Sequence, residues 1–143
     1  MASEQSERIE KLADIVAKTA DAADQEEYEG YYDRFFELLD DIDKDLESRS
    51  FLNGDTFSAA DEELYNILVK WDVVDFFALR LNRNRLKDFK NLWPYAKNIY
   101  QKKGGKEKTD FEKIKTDYYG NLDEIKNPYH IIPLGPDTSE WEA

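Results

Sequence analysis

Apolar residues recur at helical spacing along this chain almost from its start to Tyr119. Ile9, Leu12, Val16 and Ala20 fall on one face of a first helix, predicted over about Ser6 to Ala20. Asp24 offers a carboxylate to the free backbone donors of a second helix, and Glu27 is spaced to reach back to that cap. Along this helix Tyr28, Tyr32, Phe35, Leu39, Ile42 and Leu46 repeat at steps of four and three, the seam of a bundle. Asp33, Glu37, Asp40, Asp41 and Glu47 fill much of the remainder, so it has a wet side and a dry side.

Asn53-Gly54-Asp55 is a turn signal between helical neighbours, which predicts an interhelical loop rather than a hairpin. Ser58 to Asp61 forms a capping box ahead of Leu64, Leu68 and Trp71. This third helix is expected to bend near Asp72 and continue to about Leu81. Leu92, Ala96 and Ile99, flanked by Trp93 and Tyr100, predict a fourth helix with Pro94 in its first turn. Gly104-Gly105 ends it. Thr109 and Glu112 read as a second capping box, opening a short helix with Phe111, Ile114 and Tyr118 on one side. After Gly120 the periodicity stops and prolines appear. The expectation is an all-α bundle over residues 6–120, with residues 1–5 flexible and 121–143 an extended tail. Ile131, Ile132 and Leu134 would lay that tail on the bundle, with its last residues disordered.

A chain of 143 residues fits one domain, able to bury about 68–70% of its unfolded surface. Hydrophobic residues make up 41% and include three Trp, nine Tyr and eight Phe, enough for a core despite the 36% that are charged. The net charge of −12 argues against nucleic acid and anionic membranes as partners. The chain has no cysteine, so it can supply no disulfide, thiolate metal site or cysteine nucleophile. Met1 to Glu7 lacks the basic flank and apolar run of a signal peptide. No stretch approaches the roughly 18 apolar residues of a membrane span. A cytoplasmic protein is the expectation.

Several motifs then narrow the field. They are Phe51-Leu52-x-Gly54-Asp55 before the Ser58 capping box, Leu68-Val69-Lys70-Trp71-Asp72, and Asn91-Leu92-Trp93-Pro94-Tyr95 with Tyr100-Gln101. The most distinctive are Phe111-x-x-Ile114-Lys115, Tyr118-Tyr119 and the run from Asn127-Pro128 through Gly135-Pro136. From about Gln25 to Pro136 the chain resembles the C-terminal helical domain of the glutathionyl-hydroquinone reductases, the Xi class of the glutathione transferases. The resemblance implies that fold, and chemistry at a junction with a thioredoxin-like domain. That domain binds glutathione and supplies a thiolate that attacks the glutathionyl sulfur, releasing the hydroquinone and leaving a mixed disulfide for a second glutathione to resolve. The helical domain walls the acceptor pocket. Tyr118 corresponds to a family tyrosine that hydrogen-bonds the quinol, and Tyr119 and Trp71 join it as candidate substrate-binding residues.

The sequence departs from the family at decisive points. No βαβ segment stands before Ser6, and the cysteine is absent. The family's other pocket tyrosine aligns with Ala17, the usual His before the tyrosine pair is Asp117, and Asn121-Leu122 replaces a Ser-His pair. The expectation is therefore an acceptor-side domain without independent glutathione transfer. It binds no cofactor alone, while glutathione is implied for the complete enzyme. Two alternatives stand beside it: an interaction or homodimerisation module, and half an enzyme completed by a thioredoxin-like domain in cis or in trans. Fold alone licenses no activity.

Other polar clusters each have a plain reading. Tyr118 and Tyr119 suit ligand contact or core packing with the hydroxyl at the surface. Arg80, Arg83, Arg85, Lys87 and Lys90 form a basic island fit for an anion site, for a helix end, or for pairing with the acidic helix. Asp40, Asp41, Asp43 and Asp45 splay around a helix and follow no calcium-loop order. His130, the only histidine, has no nucleophile to serve.

Overall fold

A computed structural model describes residues 4–123 and 125–143. Its helices are α1 (Glu4–Ala20), α2 (Gln25–Asp45), α3 (Ala59–Lys70), α4 (Phe76–Ala78), α5 (Leu92–Lys102), α6 (Gly105–Lys108) and α7 (Phe111–Tyr119). Five of these are substantial; α4 and α6 are single turns. Among the described residues there is no strand, only one isolated bridge between Phe51 and Gly54 that closes the turn at residues 51–54. No helix among them is long and apolar enough to cross a membrane.

α1 and α2 form an antiparallel pair, because Arg8 near the start of one reaches Asp45 at the end of the other at 2.8 Å. The face that α1 buries is Ile9, Leu12, Ile15 and Thr19, with Val16 half-buried and Ala20 exposed. The sequence pattern put Ala20 inside. Thr19 goes in its place because its hydroxyl donates to the Ile15 carbonyl at 2.7 Å and needs no water. Gln5, expected in a flexible terminus, is part of α1 and accepts a bond from Arg8; residues 1–3 lie outside the described residues. Asp24 caps α2 by accepting from the Glu27 N–H, and Glu27 in turn accepts from Ala23, one residue before the cap.

The capping box before α3 has a wider role than its motif implies. Asp61 is fully buried and accepts from Leu52 N, Ser58 N, Ser58 Oγ and Tyr95 Oη, all at 2.8–2.9 Å. One carboxylate thus ties the 51–58 loop, α3 and α5 together. Burial beside it raises the Tyr95 phenol well above its ordinary pKa.

The bend expected near Asp72 is a wide π turn, Trp71–Asp75, in which the Phe76 N–H bonds the Trp71 carbonyl. It carries Trp71 into the centre of the bundle, edge-on to Phe35, Phe36 and Phe89. A second aromatic knot surrounds Trp141, which touches Trp93, Tyr100, Phe111 and Tyr65 and is completely buried.

Three expectations about the second half are corrected. The cap of α7 is Asp110, which accepts from Lys113 N, while the Thr109 hydroxyl pairs with Tyr65 Oη at 2.7 Å. Of the three apolar residues expected to dock the tail, Ile132 packs against Val73, Val74 and Tyr119, while Ile131 and Leu134 are 64% and 96% exposed. Its last residues, expected to be disordered, form a 3-10 turn, Thr138–Glu142, that seats Trp141 in the core. Farther back the tail hangs on the buried Lys115, whose ammonium donates to the carbonyls of Pro133 and Leu134 at 3.1 and 3.0 Å.

Candidate functional site

A cleft opens where the end of α1, α4 and the 79–80 turn face the end of α7 and the loop beyond it. Its larger lobe, about 540 Å³, is walled by Ala20, Ala78, Leu79, Leu122, Ile131 and Pro133. Its polar atoms come from Arg80, Tyr118, Tyr119, Lys126 and Asn127. A smaller lobe of about 290 Å³ continues past Arg80 towards Tyr28 and Asp24. Apolar walls with a few convergent polar groups are the usual make-up of a small-molecule site.

Each wall is fixed from beneath. Val73, Val74 and Tyr119 form a small buried cluster against which Tyr118, Leu122 and Ile132 pack. The two tyrosine rings meet edge to face, 5.1 Å between centroids, and the Lys70 ammonium sits 5.7 Å from the Tyr118 ring. Burial, reinforced by Asp75, raises both phenols above their ordinary pKa. At neutral pH both hydroxyls are therefore protonated and can donate. Asp75 lies behind them, 1% exposed, with Oδ1 lacking a hydrogen-bond partner and the Lys70 ammonium 3.8 Å away. Burial pushes its carboxyl up to about 6, against the pull of Lys70.

Across the cleft, Arg80 holds a left-handed backbone with φ of 58°, a conformation most side chains resist. Tyr28 Oη donates to its carbonyl at 2.5 Å, while the N–H groups of Leu79 and Leu81 on either side both bond the Asp75 carbonyl. Asn127 shapes the remaining wall. Its amide donates to the carbonyls of Tyr119 and Ile131, and its carbonyl oxygen accepts from Ile131 N.

Of the three residues singled out in the sequence, Tyr118 and Tyr119 come together in this cleft and Trp71 does not. Trp71 has no exposed surface, and its indole donates to the Leu81 carbonyl at 2.8 Å. It supports the turn that presents Arg80 instead of touching a ligand, because the π turn points it inward. Ala17 is exposed on α1 outside the cleft, and Ala20 is the α1 residue that lines its larger lobe. Sequence reasoning missed Asp75, Lys126 and Ala20. Asn127 stood within a quoted motif, but its role as a loop brace had no local signature.

The basic island divides. Arg83 makes a bidentate pair with Asp40, Arg85 bonds Asp72 and Glu140, and Lys87 lies 3.9 Å from Glu140. Burial raises the Asp72 carboxyl against the opposing pull of Arg85. Asp43 accepts from Asn91 N and Leu92 N at the start of α5, so the aspartates of α2 have separate structural duties. Among the described residues no three His, Cys, Asp or Glu side chains gather where they could hold a metal. His130 is exposed, at a positive φ of 53°.

No protein-family profile matches the chain. The glutathionyl-hydroquinone reductase YqjG of Escherichia coli is 31% identical over 121 residues, covering 85% of this chain and 37% of that protein. The chain is homologous to the Xi-class glutathione transferases and glutathionyl-hydroquinone reductases. A glutathione transferase from Gordonia bronchialis superposes with a TM-score of 0.91 at 34% identity, over 98% of this chain and 44% of its own. The Xi-class enzyme of Natrialba magadii gives 0.83 at 28% identity, over 99% and 45%. The glutathione-bound structure of the Escherichia coli protein gives 0.86 at 29%, over 94% and 44%. The chain thus spans less than half the length of each of these relatives. It has the all-helical architecture of the transferase C-terminal domain, and glutathione is bound by a relative.

Proposed function

We propose that this Xi-class helical domain is the acceptor-binding side of a glutathionyl-hydroquinone reductase and transfers no glutathione on its own. The supporting observation is the pair Tyr118 and Tyr119, kept protonated at one wall of an apolar cleft. Leu79, Leu122 and Pro133 provide flat apolar surface for a quinol ring, and the two phenols provide donors for its oxygens. The chain has no cysteine, so the thiol chemistry of the family would have to come from a thioredoxin-like unit in cis or in trans. This chain's part is to bind, orient and desolvate the acceptor.

The test is an amide-resolved NMR titration with hydroquinone and with a glutathionyl-hydroquinone. Saturable shifts around Ala20, Leu79 and Tyr118 are expected, with Tyr118→Phe weakening binding about tenfold, the equivalent of one lost hydrogen bond. Flat spectra at millimolar ligand overturn the proposal. Glutathione transfer by rigorously pure protein would overturn its second half.

A second reading draws on the exposed apolar residues Phe77, Ile125, Ile131 and Leu134. Ile131 lines the cleft, and the other three each adjoin a lining residue in sequence. Such a rim suits an interface with a second domain or a second copy. Light scattering that finds only monomer at high concentration removes self-association.

A further inference from the structure

We infer that the acceptor bound in this cleft is a dihydroxyaromatic acid, a quinol bearing an anionic substituent that Arg80 and Lys126 engage. The inference rests on the acceptor reading above and narrows it to a chemical class.

Arg80 is set apart from its basic neighbours. Arg83 and Arg85 are bonded to carboxylates, whereas among the described residues no carboxylate lies within ion-pair distance of Arg80 or Lys126. Both line the larger lobe, whose walls among the described residues contain no Asp or Glu. Asp75, buried beneath the tyrosines, and Asp123, whose carboxylate is taken up by the backbone N–H groups of Ile125 and Lys126, both stand outside those walls. Asp24 lines only the smaller lobe, where its carboxylate accepts from the Glu27 N–H as a helix cap.

The backbone supports the same conclusion. Arg80 is exposed at the rim, and its left-handed φ, a conformation that normally falls to Gly or Asn, fixes the direction in which its side chain leaves the backbone. Here four interactions stabilise it: the Tyr28 hydroxyl on the Arg80 carbonyl, two backbone N–H groups on the Asp75 carbonyl, and the Trp71 indole on Leu81. They hold the stem of Arg80 at the junction of the two lobes.

Net charge makes the inference a demanding one. A chain at −12 repels small anions at long range, so a preference for an acid over its neutral parent has to come from local cations. Guanidinium pairs with a carboxylate through two parallel hydrogen bonds, while the tyrosine hydroxyls remain for the phenolic oxygens. Leu79 and Pro133 flank the ring between these polar ends.

The experiment is an NMR titration of the intact chain with 1,4-dihydroxybenzene and, in parallel, 2,5-dihydroxybenzoate. At about 20 mM salt the acid is expected to bind at least tenfold tighter, with the advantage shrinking as salt shortens the Debye length. Arg80→Gln and Lys126→Gln are each expected to move the ratio of the two affinities towards one. Because Arg80→Gln could disturb the 79–81 turn, Lys126→Gln serves as the independent variant. Equal affinity, or weaker binding of the acid, overturns the inference and leaves the acceptor reading standing. Failure of both ligands to bind overturns the two together.

Discussion

Two stretches of the same non-periodic tail behave in opposite ways. Between Ile125 and Leu134 the chain leaves Ile125, Tyr129, Ile131 and Leu134 largely in water, held by polar contacts from Asn127 and Lys115. A few residues on, Trp141 is fully buried among four aromatic rings, and Glu142 accepts from Tyr100 Oη at 2.6 Å. Burial there pushes the Tyr100 phenol up to about 12, with Glu142 adding to it. The difference teaches that apolar character does not decide which part of a tail docks. The bundle offers a deep aromatic socket to residue 141 and only the rim of an open cleft to residue 131.

The sharpest way to break the comparison is to empty that socket. Trp141→Ala is expected to lower the unfolding free energy by about 3–5 kcal/mol, the usual penalty for losing a buried indole. Urea denaturation followed through the remaining tryptophans would report it. A loss below about 1 kcal/mol would place the 3-10 turn off the core.

Asp75, beneath the open stretch, gives the next largest effect. Its folded pKa of about 6 stands above the ordinary 3.8. As pH rises between those values the unfolded chain releases this proton while the folded chain keeps it, so the stability due to this group falls and is fully lost above about 6. Asp75→Asn should therefore stabilise the protein at pH 8 by up to roughly 3 kcal/mol, with the gain closing towards pH 4. Thermal melts of both proteins across that range test the sign. A variant that melts lower at pH 8 would show that the charged form has a stabilising partner.

The smallest effect belongs to the exposed rim itself. Replacing Ile125 and Leu134 together by Ser is expected to change stability by less than about 0.5 kcal/mol. A loss several times larger would mean that this stretch packs against something in solution, and concentration dependence of the melt would identify a second copy.

Much of the bundle was legible in the sequence because one physical signal carried it. The 3.6-residue period placed Phe35, Leu39, Ile42 and Leu46 inside, and side-chain caps located the starts of α2 and α3. Where tertiary partners decide, the period was silent. Lys115 reads as a surface cation, yet it is buried because two tail carbonyls satisfy its ammonium. Trp141 sits between Glu140 and Glu142 and looks solvated; no local pattern announces its socket. The tyrosine pair was legible as a candidate ligand contact. Trp71 was misplaced because the family motif around it was followed in preference to its own spacing, which groups it with the core residues Leu64 and Leu68.

The π turn at Trp71–Asp75 has a consequence of another kind. It holds an extra residue in the turn, and each residue of a regular helix rotates the chain beyond it by about 100°. Removing that extra residue would close the turn to a regular helical one and redirect the side chains of residues 71–75, among them Trp71 in the core and Asp75 beneath the tyrosines, although every cleft-lining side chain would still be present. At this point heredity must preserve a count as well as a spelling: a single deleted codon could unmake the cleft without altering one of its letters.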